Sequence, residues 1–592
     1  MHRLVLAVAL FLLAAASAHA ADVPTAPVFD ARGRIVQTPV APPAAPNVLT
    51  KKRAIAIFLA TPKVEDWLTR YPARGRTTTA DFSEQYRNWT VIVDLPPAGW
   101  IAKGRVDDAT GRVTDAWTGP QVAWGMARGS PGAFGGKEIN RVRVWLGFCA
   151  LFLLGLFDWR RPFSLRNLDL LALLSFSVSL WFFNRGHIFA SASLAYPPFA
   201  YLIGRGLWIG LTGRTSRGKT VWPWWLLIGV TAFAAGFRVT EFNVRHSNVI
   251  DVGYSGVIGA ERIVTGQSPY GHMPEEDALK PCGPADQDGE IRDRIQTNGL
   301  CESANPRGDT YGPVAYESYI PAYLALVWSG RWDDLPAAHA TVIAFDLLCI
   351  IGLALVGLRF GGPPFAATLA FAWTAYPFTQ YASSSNTNDA LLPAFLIWGF
   401  WLLISPWARG AFVALAGWTK FAALIVAPMW VTYRLTREQI GKAVAGFIGA
   451  TVVAFSIVLL EPSVGHALRV FWDRTVSWQL SRESPFSIWD WRQYHARGIP
   501  NLEIPQRVLQ ALLVAAALAF ALVPRRKTPL QLAALTGVLL LGFEMVLTHW
   551  SYLYIPWFFP FVAYATLAQA EPVTEPEPEP DEHPVPEFVV AG

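Results

Sequence analysis

The chain has 592 residues, of which 52 % are hydrophobic and only 16 % charged, with 26 Trp and 36 Phe. Soluble proteins carry about 25 % charged residues, so a disordered chain, a collagen and a small disulfide-stapled toxin are excluded and a polytopic membrane protein with more than one structural unit is favoured. The net charge of +5 decides little, because in such a protein the placement of Lys and Arg matters more than their sum. The N-terminus has the build of a signal peptide over residues 1–20. His2 and Arg3 precede an apolar run, residues 4–16, and Ala18-His19-Ala20 supplies an A-x-A cleavage site. The alternative is a first membrane helix that is retained. Either way, residue 22 onward starts outside the cytoplasm. Residues 21–50 are Pro- and Ala-rich without an apolar period and read as a linker.

Residues 51–128 carry ordinary charge density and no run long enough to span a bilayer. Helical spacing over 51–71 places Ile55, Phe58, Val64, Trp67 and Leu68 on one stripe, with Thr61-Pro62 placed to cap and open a second helix. Strand signals follow at 89–93, 99–103 and 111–115, so a small α+β unit is predicted. Asp107-Asp108 is read as a turn. The Val106-Asp-Asp-Ala-Thr-Gly-Arg-Val113 segment resembles the V-D-x-x-T-G-x-V hairpin of PepSY-type extracytoplasmic domains.

From Val142 the composition changes. Apolar spans are predicted near 142–157, 168–183, 192–211, 221–238, 337–358, 363–382, 389–404, 441–460, 505–523, 530–548 and 552–569. The first four form an accessory group, 142–238. The stretch 410–433 holds Gly417 and Lys420 at its middle. A lysine at the bilayer centre is expensive, so two short helices, up and back, are predicted there. Short-loop cations set the orientation. Arg160, Arg161 and Arg166, then Arg214, Arg217 and Lys219, then Arg359, Arg409, Arg434, Arg437 and Lys442, and last Arg525, Arg526 and Lys527 all fall on one side. That side is cytoplasmic by this rule; Lys137, Arg141 and Arg143 count against it. The acidic Pro-Glu tail, 571–592, is then a disordered cytoplasmic segment.

Two long loops, 239–336 and 461–504, fall outside. Within the first, 313–328 reads as an amphipathic helix on the outer face. Cys282 and Cys301 share that loop, where an oxidising compartment permits a bridge; two free thiols are the alternative. Neither a zinc motif nor a P-loop nor a G-x-G-x-x-G is present, so no cofactor, metal ion or nucleic acid is implied.

The most informative segment opens the first outer loop. A helix from Asp251 would place Asp251, Tyr254, Ile258 and Arg262 on one face, with Gly266 ending it and Pro269-Tyr270 beyond. As a bare feature, Asp251 is a helix cap. Four further motifs follow in order: Tyr311-Gly-Pro313-Val-Ala-Tyr316 with Tyr319 and Pro321; Asn386-Thr-Asn388-Asp389; Gly417-Trp-Thr-Lys420-Phe with Pro428; and His549-Trp-Ser-Tyr552-Leu-Tyr-Ile-Pro556-Trp. This series resembles the polytopic glycosyltransferases of the C superfamily (GT-C), closest to glycosyltransferase family 87 and the bacterial polyprenyl-phosphate-mannose-dependent mannosyltransferases. The chain departs from them in its extra spans and outer domain before Asp251, and in Asn386-Thr-Asn388 where Gly-Gln is usual.

The resemblance implies a GT-C-like polytopic α-helical membrane protein of about 11–13 transmembrane helices with a small N-terminal extracytoplasmic α+β domain. It implies a hexosyltransferase that takes a hexose, mannose among the candidates, from a polyprenyl-phosphate sugar to a lipid or glycan acceptor outside the cytoplasm, with inversion. Asp251 is then the general base. Lys420, His549 and Arg262 are candidates for the donor phosphate. Tyr254, Tyr270, Tyr311, Asn386, Asn388, Asp389 and Tyr552 are candidate substrate contacts. Trp489, Asp490 and Trp491 join them, because aromatic faces beside acids suit sugars. Each has a plainer alternative: a snorkelling Lys420, an interfacial His549, and an interfacial helix around Trp489. A transporter or flippase is the competing function, favoured only by Asp346 and Glu544 inside spans.

Overall fold

Capping side chains and helix-breaking residues cut the chain close to where the apolar runs predict. The computed structural model describes residues 28–29, 35–37, 47–84, 86–96, 98–122, 134–215, 221–275, 279–281, 293–297, 300–302, 304–326, 328–330, 334–433 and 436–568. The signal peptide, the Cys282–Cys301 pairing and the acidic tail lie outside the described residues. The described residues group into two compact units, one drawn from 1–65, 77–93 and 103–116, the other from 66–76, 94–102 and 117–592.

Near the N-terminus, the predicted linker holds an antiparallel pair, Val28–Phe29 with Ile35–Gln37. Thr50 caps the Lys51–Leu59 helix by accepting the Arg53 N–H, and Pro62 opens the Pro62–Leu68 helix as expected. Phe58, Val64, Trp67 and Leu68 are buried, whereas Ile55 is half-buried. A four-stranded sheet follows, in the order Thr77–Ser83, Asn88–Leu95, Gly99–Asp107, Val113–Thr118. The first strand was not predicted, because Thr77-Thr-Thr-Ala carries little apolar alternation. Asp108 is more than the turn residue expected. It is buried, and its carboxylate accepts the Val48 and Leu49 N–H groups, both at 3.0 Å, the Trp89 indole at 3.1 Å and Arg87 Nη2 at 3.0 Å.

The rest is mostly helical. Among the described residues six helices are long and apolar enough to cross a membrane: Leu165–Phe183, Trp224–Arg245, Pro336–Ala375, Arg437–Leu460, Glu503–Leu522 and Pro529–Val546. Val142–Leu156, Phe421–Val431 and Tyr552–Leu567 are apolar but shorter. The Ile188–Thr212 helix runs 25 residues through Pro197 and Pro198. These helices make the chain a membrane-embedded helical protein. Two predicted spans, 337–358 and 363–382, form one helical run that breaks at Gly362 (φ 74°) and ends at Ala375, after which Pro377–Ser384 forms a separate helix. The fourth span extends past its predicted end through a π-helical segment, Arg238–Arg245, so the long loop that follows starts later than 239. That loop also contains an unpredicted antiparallel sheet of Leu279–Pro281, Asp293–Thr297 and Leu300–Glu302. The single helix expected over 313–328 is two short ones, Pro313–Glu317 and Ile320–Ala325.

Small residues let helices cross closely. A Cβ on Gly410 would overlap the Ala443 carbonyl oxygen, and one on Gly446 the Trp407 carbonyl oxygen, so the Pro406–Thr419 and Arg437–Ala454 helices touch backbone to backbone. Two buried arginines on the helices are paired with carboxylates. Arg238 Nη2 lies 2.7 Å from Asp346, which also accepts the Trp373 indole at 2.8 Å, and Arg205 lies 3.2 Å from Asp169. Asp346 is thereby a helix-packing residue. Glu544 accepts the Trp550 indole at 3.2 Å.

Candidate functional site

The Asp251–Val264 helix begins at Asp251, after Ile250 in extended conformation. Backbone contacts fix that start. Asn248 and Ile250 donate their N–H groups to the Ser384 and Ser385 carbonyls at 3.1 and 3.3 Å. Asn386 Nδ2 donates to the Asn248 carbonyl at 3.0 Å and to Ser247 Oγ at 2.8 Å. Gly253 lies against the Asn386 carbonyl, where a Cβ would overlap it. Asn386 has φ 49°, in the left-handed region that Asn tolerates. The expected polar turn therefore clasps the start of the Asp251 helix. Asn386 and Asn388 are buried and line neither of the site's two cavities, whereas Asp389 lines the smaller.

The re-entrant stretch breaks at its lysine. The Pro406–Thr419 helix stops at Lys420 (φ −142°, ψ 127°), a short 3-10 turn Phe421–Val426 follows, and Gly417 packs on Leu424 across the bend. Lys420 Nζ sits 2.6 Å from Asp389 Oδ1, which also accepts the Trp557 indole at 3.0 Å. The rings of Tyr311, Tyr554 and Trp557 lie 5.1, 5.2 and 5.1 Å from the ammonium, an arrangement in which ring quadrupoles attract a cation. Gly312 makes this box possible, because it seats directly on the Trp418 carbonyl where any Cβ would clash.

His549 is held from the long loop 461–504. Ser484 Oγ lies 3.0 Å from His549 Nδ1, and the Ser484 N–H donates to Asp490 at 2.9 Å. Ser487 Oγ donates to the Thr548 carbonyl at 2.6 Å and the Trp489 indole to the Met545 carbonyl at 2.8 Å, so the loop is tied to the strand of chain leading to His549. Burial pushes the Asp490 carboxyl above its ordinary value, and the Ser484 N–H opposes the shift.

Two cavities meet here. The smaller, about 120 Å³, is lined by Asp251, Ser255, Asn305, Arg307, Asp389 and Tyr552, among others. The larger, about 1200 Å³, is lined by apolar groups including Phe421, Leu424, Phe543 and Leu547, and by Trp489 and Asp490. Thr310, Tyr311, Lys420, Arg482, His549 and Tyr554 line both.

Of the predicted residues, Asp251, Tyr311, Asp389, Lys420, His549 and Tyr552 converge on the smaller cavity. Tyr552 meets Ser179 Oγ at 2.6 Å there. Others do not converge. Arg262 is paired with Glu261, donates to the His272 carbonyl at 3.0 Å and lines neither cavity, because its own helix turns it towards the 266–275 loop. Tyr254 and Tyr270 are buried in an apolar cluster with Tyr316 and Tyr319, and the Tyr270 hydroxyl donates to the Tyr311 carbonyl at 2.9 Å. Trp491 packs edge-on against Phe189, 4.7 Å between centroids, away from both cavities. Sequence reasoning passed over Arg307, Arg482, Tyr554 and Trp557. Arg482 heads a loop whose tryptophans drew the attention, and Tyr554 and Trp557 stand inside the His549 motif itself. Among the described residues no group of three or more His, Cys, Asp or Glu is placed to hold a metal ion. No family model matches the chain, and neither the curated proteins nor the solved structures offer a match.

Proposed function

We propose that the chain is an integral membrane glycosyltransferase that moves a hexose from a polyprenyl-phosphate sugar to a hydroxyl of a lipid or glycan acceptor on the extracytoplasmic face. The observation that carries this reading is the junction of a small polar cavity bearing Asp251 with a tenfold larger, partly apolar one, across Lys420, Arg482 and His549. Such a junction suits a donor with an apolar tail and an anionic head. The tail has room among Phe421, Leu424, Phe543 and Leu547, and the phosphate meets cations where the cavities join. The smaller cavity compares with the roughly 150 Å³ of an apolar site that admits benzene, the scale of one sugar ring.

The chemistry is a single displacement. The acceptor oxygen attacks the anomeric carbon from the Asp251 side while the bond from that carbon to the phosphate oxygen breaks. The bonding pair leaves with the phosphate, giving a lipid monophosphate, and the acceptor proton passes to the Asp251 carboxylate. Charge that develops on the leaving phosphate is met by Arg482, His549 and Lys420. Asp389 and the aromatic box fix Lys420 beforehand, so little reorganisation is needed during the reaction.

The test is transfer of labelled hexose from a synthetic polyprenyl-phosphate donor in membranes that contain the chain. Asp251→Asn, which preserves shape, is expected to lower transfer by about a hundredfold or more, with unchanged amounts of protein. Retained transfer in that variant removes Asp251 as base. Movement of the intact lipid across the bilayer without sugar transfer favours a flippase instead.

A further inference from the structure

We propose, resting on the transferase reading above, that the acceptor carries an acidic group, a phosphate or a carboxylate, and that Arg307 is the residue that recognises it. Arg482 lines both cavities and so belongs with the donor phosphate. Arg307 lines only the smaller cavity, which Asp251 also lines. Its guanidinium stacks on the Trp478 ring, 4.1 Å from the centroid, and Trp478 lines the same cavity. A planar guanidinium held against an aromatic face keeps its N–H edge free for an anion.

The turn that presents Arg307 is built, not loose. The Tyr316 hydroxyl donates to the Gly308 carbonyl at 2.8 Å. Arg474 donates to the Pro306 carbonyl at 3.3 Å and lies 3.2 Å from the buried Asp309, which also accepts the Gly271 N–H at 2.8 Å. Asn305 Nδ2 donates to Ser255 Oγ at 2.9 Å, which ties the turn to the helix that starts at Asp251. The distance between the base and Arg307 is therefore set by the fold.

Charge singles out the same residue. Lys420 is matched by Asp389, Arg474 by Asp309, and Arg492 by Glu503. Arg307 and Arg482 make no ion pair with any described residue. Arg482, on both cavities, is assigned to the donor phosphate; Arg307 is exposed at the smaller one, so its guanidinium is open to an anionic group of an acceptor that enters there. An acceptor bound at two points, its hydroxyl at Asp251 and its anion at Arg307, is also oriented for attack.

The experiment uses the full chain in membranes with labelled polyprenyl-phosphate hexose. Mild acid destroys the unused donor, and the remaining labelled glycoside is passed over an anion exchanger. Retention of the product is expected, together with a loss of about tenfold or more in Arg307→Gln and partial recovery in Arg307→Lys. Loss of retention after methyl esterification marks a carboxylate and persistence marks a phosphate; both support the proposal. A neutral product, or an acidic product formed equally well by Arg307→Gln, overturns it while leaving the transferase reading in place. No transfer by the unaltered chain overturns that reading, and this inference with it.

Discussion

Lys420 shows how much of one residue's position is written locally and how much is not. Its helix must break there, because an ammonium inside a straight apolar span would be left unpaired. What the sequence does not show is its partner, 31 residues away, and three rings from two other segments. Lys420 and Asp389 are both almost fully buried, so removing either side chain alone leaves an uncompensated charge. Lys420→Met is expected to destabilise the protein by about 3–5 kcal/mol. The double variant Lys420→Met with Asp389→Leu is expected to recover most of that, while sugar transfer stays lost. Thermal unfolding in detergent reads the first effect and the labelled-hexose assay the second. Equal instability of the single and double variants would show that the pair is not a coupled unit. The same locality explains the failure at Arg262. Helical spacing correctly put it in the Asp251 helix, but its neighbour Glu261 captures the guanidinium, and no periodicity argument registers a pairing between adjacent residues.

Elements were legible as apolar runs, but their first turns are fixed by caps that the runs do not mark, so the helices start at Leu165 and Arg437 rather than 168 and 441. Thr50, Ser164, Thr436 and Thr528 each accept an N–H from the first turn of the helix that follows, and Thr528 with Gln531 completes a capping box. Elements set by tertiary contact were not legible, as with the polar Thr77–Ser83 strand and the π-helical Arg238–Arg245 segment. Two predictions belong at this scale. Gly312 seats the Tyr311 segment on the Trp418 carbonyl, so Gly312→Val forces the two apart at an overpacking cost of about 1–3 kcal/mol. Transfer is expected to fall with the protein still folded, and near-normal activity would remove the box as a requirement. In the N-terminal unit, burial tends to raise the Asp108 carboxyl, but the Val48, Leu49 and Trp89 hydrogen bonds and Arg87 together hold it below the usual carboxylate range. A depressed carboxyl contributes stability above its unfolded value of about 3.9 and loses it as pH falls through the lower folded value. Protection from hydrogen exchange at residues 48–49 and 87–89, taken relative to the intrinsic exchange rate at each pH, is therefore expected to fall in the full chain below about pH 4. Asp108→Asn should show fast exchange already at neutral pH; if it does not, the carboxylate is not what holds that segment.

Across the whole molecule, the scarcity of charge noted at the outset is resolved by pairing. Arg205 with Asp169 and Arg238 with Asp346 are internal to the helical body; of the short-loop cations, Arg160 and Arg526 are exposed whereas Arg166, Arg409 and Lys527 are buried. Among the described residues fewer helices qualify as full spans than the apolar runs suggested, because some are short, Val142–Leu156 and Leu391–Trp401 among them, and because 337–358 and 363–382 merge into one run. The runs, and the breaks near Gly362 and Lys420, were legible in the sequence; the end of the long run at Ala375, inside the predicted 363–382 span, was not. The orientation argument makes one demand of the assembled protein. If positive loops mark the cytoplasm, Arg160 and Arg526 face one side and Asp473, exposed in the second long loop, faces the other. Single cysteines at these three positions, placed in a chain lacking the native four, test this with a membrane-impermeant thiol reagent on intact cells. Asp473→Cys is expected to label directly, and Arg160→Cys and Arg526→Cys only after the membrane is opened. The reverse pattern would place the cavity junction on the cytoplasmic side, where a donor presented extracytoplasmically has no access to Lys420. Labelling of all three before opening would remove the loop charges as a guide to sidedness in this chain.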